Sequence, residues 1–147
     1  MATETVSIKG KLRLVLRDSH GNIKVTRTSN LVVTAGKNHI ADQLSSAPGG
    51  GAMSHMALGT GTTAPALGDT ALGTEIDRNA LTSRTDNNNV VTYIGNWAAG
   101  DATNAAIAEA GIFNAGAAGT MLARATFTPI NKTAGDTLQV TWTVTIG

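Results

Sequence analysis

The 147-residue chain has no cysteine, which excludes disulfide staples and thiolate metal sites. Its aromatic residues are two Trp, one Tyr and two Phe. So thin a supply leaves no row of stacking platforms for single-stranded nucleic acid. Charged residues make up 14% of the chain and prolines number three. No apolar run approaches the roughly 20 residues that a membrane-spanning helix needs. The first residues lack the apolar core of a signal peptide, so a soluble product made in the cytoplasm is expected, with no membrane partner. In that compartment the sequon Asn131-Lys132-Thr133 carries little meaning.

What is abundant is Gly, Ala, Thr and Asn, a composition that suits an all-β domain with many turns. The clearest stretch is Leu138–Gly147, where Leu138, Val140, Trp142, Val144 and Ile146 alternate with Gln139, Thr141, Thr143 and Thr145. Successive strand residues point to opposite faces, so this reads as a central strand with one apolar and one threonine-lined face. Val6, Ile8, Leu12, Leu14 and Leu16 predict a similar first strand, with Ser7, Lys9, Lys11, Arg13 and Arg17 opposite them. Gly10 falls on the inward side, as a bulge or a close approach to another backbone would require. Asp18-Ser19-His20-Gly21-Asn22 is a turn, and 23–33 returns as the second strand of a hairpin.

The period then changes. Ile40, Ala41 and Leu44 share a helical face, which predicts one short helix over 35–46 with Thr34 as N-cap and Gly36 weakening the first turn. Pro48-Gly49-Gly50-Gly51 ends it, and 47–52 is expected to be a mobile loop. Further strands are expected at 53–58, 79–84, 90–97, 107–113, 120–127 and 138–147, with a long irregular segment over 59–74. The expected fold is all-β: one domain over 1–147, a two-sheet antiparallel sandwich of eight strands, jelly-roll-like, with one short helix after the second strand.

Charge is unevenly spread. Residues 1–37 carry seven basic side chains against two acidic ones, a balance of +5, and residues 38–147 carry four against eight, a balance of −4. Lys9, Lys11, Arg13, Arg17 and Lys24 are therefore candidate contacts to an acidic partner, although an ordinary solvated strand face has the same pattern. Catalytic and metal motifs are not found. Gly59-Thr60-Gly61 lacks the Gly-Lys-Ser/Thr ending of a phosphate loop and is read as a plain loop. Ser54-His55 is discounted as a catalytic pair because strand neighbours diverge. His20, His39 and His55 follow no zinc spacing, and are read as a turn residue, a helix-surface group and a strand side chain. Asp86-Asn87-Asn88-Asn89 lacks the glycine and distal glutamate of a calcium loop. Glu75, Asp77 and Glu109 lie near apolar residues without the spacing of a glycosidase pair. Glu75 or Asp77 bonded to Arg78 or Arg84 is the expected use. No enzyme activity, cofactor or nucleic-acid partner is expected.

Several stretches carry a resemblance: 30–38 (NLVVTAGKN), 57–65 (ALGTGTTAP), 72–78 (LGTEIDR), 109–114 (EAGIFN) and 119–124 (GTMLAR). In this order they resemble small structural proteins of tailed bacteriophages and prophages, and related patterns occur in the globular heads of tail-collar and fibre proteins. The resemblance covers about residues 30–147 and brings over no catalytic residues. It implies a β-sandwich that coats or joins virion proteins. A fibre protein normally has a shaft or receptor tip, and none follows Ile146, so a head decoration (cement) protein on the outer capsid surface is the expected role. Its partners would be the major capsid protein or another virion protein and sister copies in a homo-oligomer. Its location would be the virion, assembled in the host cytoplasm. A tail-collar, fibre-associated or baseplate component is the alternative. A carbohydrate-binding module, with Trp97 as its free stacking platform, is the alternative of another class.

Overall fold

The computed structural model describes residues 3–45 and 50–147. The alternating segments form strands β1 (Ile8–Arg17), β2 (Ile23–Ser29), β3 (Leu31–Val32), β4 (His55–Gly59), β5 (Glu75–Ala80), β6 (Ser83–Asn87), β7 (Val90–Trp97), β8 (Asn104–Phe113), β9 (Met121–Lys132) and β10 (Thr137–Ile146). One helix, α1 (Thr34–Leu44), follows β3. Two five-stranded sheets result, ordered β2-β1-β10-β7-β6 and β3-β9-β8-β4-β5. All pairings are antiparallel. The fold is a two-sheet all-β sandwich, with β10 at the centre of the first sheet as its pattern requires.

Leu12, Leu14 and Leu16 of β1 and Leu138, Val140, Trp142 and Val144 of β10 point inward against Met56, Leu58, Ala110 and Ile112 of the second sheet. Burying each large side chain contributes about 1.5–3 kcal/mol. The β1·β10 register runs unbroken from Ile8↔Ile146 to Arg17↔Thr137 and passes through Gly10↔Val144. Gly10 therefore makes no bulge. A Cβ there would strike the side chain of Asn30, the residue between β2 and β3 where the chain passes from one sheet to the other. Asn30 uses that space to accept a 2.6 Å hydrogen bond from the Trp142 indole N–H, satisfying a donor held inside the core.

Five sequence expectations change. Val6 is 63% exposed and lies before β1, and Ile146 is 39% exposed at the open end of the sandwich. The second strand breaks at Asn30, because its continuation β3 joins the other sheet. The strand expected over 79–84 is two strands: β5 belongs to the second sheet and β6 to the first, with the crossing at Leu81-Thr82. Ten strands thus replace the expected eight among the described residues. Helix α1 has Val33 rather than Thr34 at its N-cap, with no side-chain cap. The mobile loop expected over 47–52 lies partly outside the described residues.

Gly36 also has a different role from the one expected. It is buried against β9, where a Cβ would collide with the Leu122 carbonyl. Glycine lets the helix backbone sit on the sheet, and this contact offsets its weak helix propensity.

Trp142→Ala should destabilise the fold by about 3–5 kcal/mol. Asn30→Ala should cost about 1–3 kcal/mol, because it leaves the indole N–H unpaired. Chemical denaturation of both variants measures these losses.

Candidate functional site

The two outer sheet faces differ. In the second sheet, Ile107 to Phe113 and Met121 to Ala125 are buried without interruption, so both sides of these strands are covered. The cover is the long segment between β4 and β5, residues 60–74. Its Leu72 packs on an outer cluster of Ala57, Phe113, Met121 and Val33. Gly111 leaves room for it, since a Cβ there would come 2.9 Å from a Leu72 methyl.

A fully buried carboxylate holds the cover down. Glu109 projects from β8 with 0% exposure. One oxygen accepts from the Gly61 N–H at 2.9 Å and the Thr74 N–H at 2.7 Å. The other accepts from the Gly73 N–H at 2.9 Å and from Arg124 Nε and Nη2 at 3.0 and 2.8 Å. Arg124, on β9, also donates from Nη1 to Asp69 at 2.8 Å and from Nη2 to the Thr63 carbonyl at 3.1 Å. Asp69 in turn accepts from the Ala66 N–H at 2.9 Å. Burial pushes the Glu109 carboxyl up, but the three backbone donors and Arg124 outweigh it and hold the group below the usual carboxylate range. Asp69 is held low by the Ala66 N–H and Arg124. Next to this clamp, Arg78 pairs with both Glu75 oxygens at 2.6 and 3.1 Å. Its guanidinium lies 3.7 Å from the Phe113 ring centre and donates to the Ala115 and Ala118 carbonyls. The expected Glu75–Arg78 pair is present, while Arg84 donates to the Met53 carbonyl instead.

A second polar centre ties the crossovers at 98–103 and 133–136. Asp136 accepts from Lys24 Nζ at 2.6 Å and from the Thr133 N–H at 2.8 Å. The Lys24 contact is the main cause of its lowered pKa. Lys132, fully buried, donates to the Ala98 and Asp136 carbonyls at 3.0 and 2.7 Å. Burial pushes its pKa down, against the pull of Asp101 and Asp136.

The first sheet's outer face has no such cover. Cross-strand rows run Lys9–Thr145–Val90, Lys11–Thr143–Thr92–Thr85 and Arg13–Thr141–Ile94–Ser83 over β1, β10, β7 and β6. Lys9, Lys11 and Arg13 are exposed, and no side-chain hydrogen bond or ion pair engages them among the described residues. Alternate strand residues repeat at roughly 6.5 Å, so the three cations form a short file along β1. The other two candidate contacts are occupied. Lys24 is bound to Asp136, and Arg17 donates to the Gly21 carbonyl of its own turn at 3.1 Å. Five candidate cations thus reduce to three that share one face.

Other sequence readings also change. Ser54 Oγ and His55 Nδ1 lie 2.7 Å apart, because Ser54 precedes β4 and strand alternation does not separate them. No acidic side chain is hydrogen-bonded to His55 among the described residues. His39 is 5% exposed, not on the helix surface. Trp97 is 1% exposed and its indole N–H lacks a partner among the described residues, so it is no free platform for a sugar ring. Gly59-Thr60-Gly61 does cradle an anion through the Gly61 N–H, but the anion is the chain's own Glu109. Among the described residues no three His, Asp or Glu side chains gather as a metal-binding group, and no helix is long and apolar enough to cross a membrane.

Glu109→Gln should cost about 3–5 kcal/mol, because it leaves Arg124 with a reduced counter-charge in a buried site. Denaturation measures the loss, and proteolysis should cut first within 60–74. Acid should act in the same direction. Glu109, Asp69 and Asp136 have folded pKa values below their unfolded ones, so they stabilise the fold above pH ~4. The melting temperature should hold from neutral pH to about pH 5 and then fall as these carboxylates protonate.

Compared with protein-family models, curated proteins and solved structures, the chain matches none.

Proposed function

We propose that the chain is a structural protein of a tailed-bacteriophage virion, a head decoration protein that binds the outer capsid surface through the outer face of its first sheet. The carrying observation is the asymmetry between the two faces. One is sealed by 60–74, and the other is bare and presents Lys9, Lys11 and Arg13 with no internal partner. The resemblance supports the same reading. Its stretches supply Gly61, Gly73, Thr74, Glu75, Arg78, Glu109, Phe113 and Arg124, the residues that build the sealed face. What the resemblance covers is therefore scaffold, which in this reading leaves the opposite face to determine the partner.

A cationic file on an open sheet face fits an acidic protein surface, where charge complementarity sets approach and register more than affinity. Each contact is modest. Many copies on one closed shell would stabilise it by multivalency, without tight binding by any single copy. Stability in this reading comes from the two buried polar centres and the core, since the chain has no disulfide.

Two measurements test the proposal. Hundreds of copies per purified particle are expected, and a handful would move the protein to the tail collar, fibre or baseplate. Charge reversal of Lys9, Lys11 and Arg13 should leave the melting temperature unchanged and abolish particle binding at physiological salt, and the wild-type binding should weaken as salt rises. Normal incorporation of the reversed variant would contradict the proposed face.

A further inference from the structure

We infer that the open end of the sandwich is a self-association site, in which residues 3–7 of one copy occupy an apolar groove of a second copy. The groove is a cavity of about 260 Å³ between helix α1 and the ends of β7 and β10, lined mainly by apolar side chains such as Ile40, Leu44, Leu122, Val144 and Ile146, with His39 and Gln43 also on its wall. A dry cavity of about 150 Å³ is already large enough to hold a benzene ring, so this one accommodates an aliphatic side chain with part of its backbone. Among the described residues its rim leaves apolar side chains exposed, Leu44 by 84% and Ile146 by 39%.

The complement lies on the same end of the same chain. Ser7 and Gly147 exchange backbone hydrogen bonds, which places residues 3–7 beside the end of β10. Beyond that pairing Val6 is 63% exposed, and residues 3–7 are all exposed. Of the five exposed large apolar side chains among the described residues, three, Val6, Leu44 and Ile146, therefore lie at one end. Thr3, Thr5 and Val6 are β-branched residues that favour an extended conformation. A five-residue extended arm reaches about 16 Å. With arm and groove side by side, a two-fold axis lets each copy place its arm in the other's groove. Both apolar surfaces are then covered in one closed contact that leaves no arm over. The cationic file lies on the outer face of the first sheet, apart from this groove between the sheets, so the self-contact and the proposed capsid contact do not compete.

The absence of cysteine makes the test direct. Val6→Cys and Leu44→Cys proteins are prepared separately, mixed and oxidised. Neither residue is buried, so neither change threatens the fold. A disulfide-linked species of twice 15.0 kDa should form at least ten-fold faster in the mixture than in either protein alone. In sedimentation equilibrium the cysteine-free wild type should dimerise with concentration. Val6→Asp and Leu44→Asp should each weaken that dimer at least ten-fold without moving the melting temperature. A wild type that remains one chain up to about 1 mM overturns the inference. So does a dimer that ignores both aspartates, or cross-linking no faster in the mixture. These results are independent of the particle-binding assay with Lys9, Lys11 and Arg13 reversed, so the two readings fail separately.

Discussion

The molecule depends on one buried carboxylate. A charge with no exposed surface survives only if its lost hydration is replaced, and Glu109 replaces it with three backbone N–H groups and a guanidinium. Those backbone donors belong to the segment between β4 and β5, which has no regular structure of its own. Without the carboxylate they would turn to water and the segment would have little reason to lie on the sheet. Glu109 therefore does for residues 60–74 what a strand partner does for a strand: it provides the acceptors. Arg124 links the same carboxylate to Asp69 and the Thr63 carbonyl, so the middle of the segment is tied to the sheet as well as its ends.

This clamp separates the two faces of the sandwich. In the second sheet, 107–113 and 121–125 are covered on both sides, so on the outer side the segment 60–74 rather than the sheet meets solvent. The first sheet is an ordinary half-buried antiparallel sheet, apolar within and polar without. Threonine is the commonest residue on its outer side, stiff and suited to the pleat, so Lys9, Lys11 and Arg13 stand on a regular antiparallel ladder. In the proposed contact role, the strand backbone under these cations would lose little conformational freedom on meeting a partner.

Legibility in the sequence varied with the length scale of the cause. Strands β1, β7 and β10 of the first sheet could be read because alternation is local, as in Leu138 to Val144. The pairing of Glu75 with Arg78 was also within reach, three residues apart. The clamp was not, because Gly61, Gly73, Glu109 and Arg124 meet across 63 positions of chain and have no shared spacing. One local sign was present: Glu109 is flanked by small apolar residues, Ala108, Ala110 and Gly111, so a buried charge needing several donors was one of its readings. The break at Leu81-Thr82 was hidden for a similar reason, since a residue's choice between two sheets depends on its neighbours in space. Gly36 and Gly10 were noticed as anomalies, but both serve close approach, by the Leu122 backbone and the Asn30 side chain. Among the five candidate cations, composition could not separate Lys24, which has a partner 112 residues away, from Lys9, Lys11 and Arg13.

The central claim is that Glu109 holds 60–74 as part of the folded core. Native-state hydrogen exchange of the Gly61, Gly73 and Thr74 amides tests it most directly, because each donates to that carboxylate. The account predicts that these three amides exchange as slowly as those of β8 and β9, through the same global opening. Exchange as fast as that of an exposed loop amide would show that the cover lifts freely, and the division into a sealed face and a bare one would not stand.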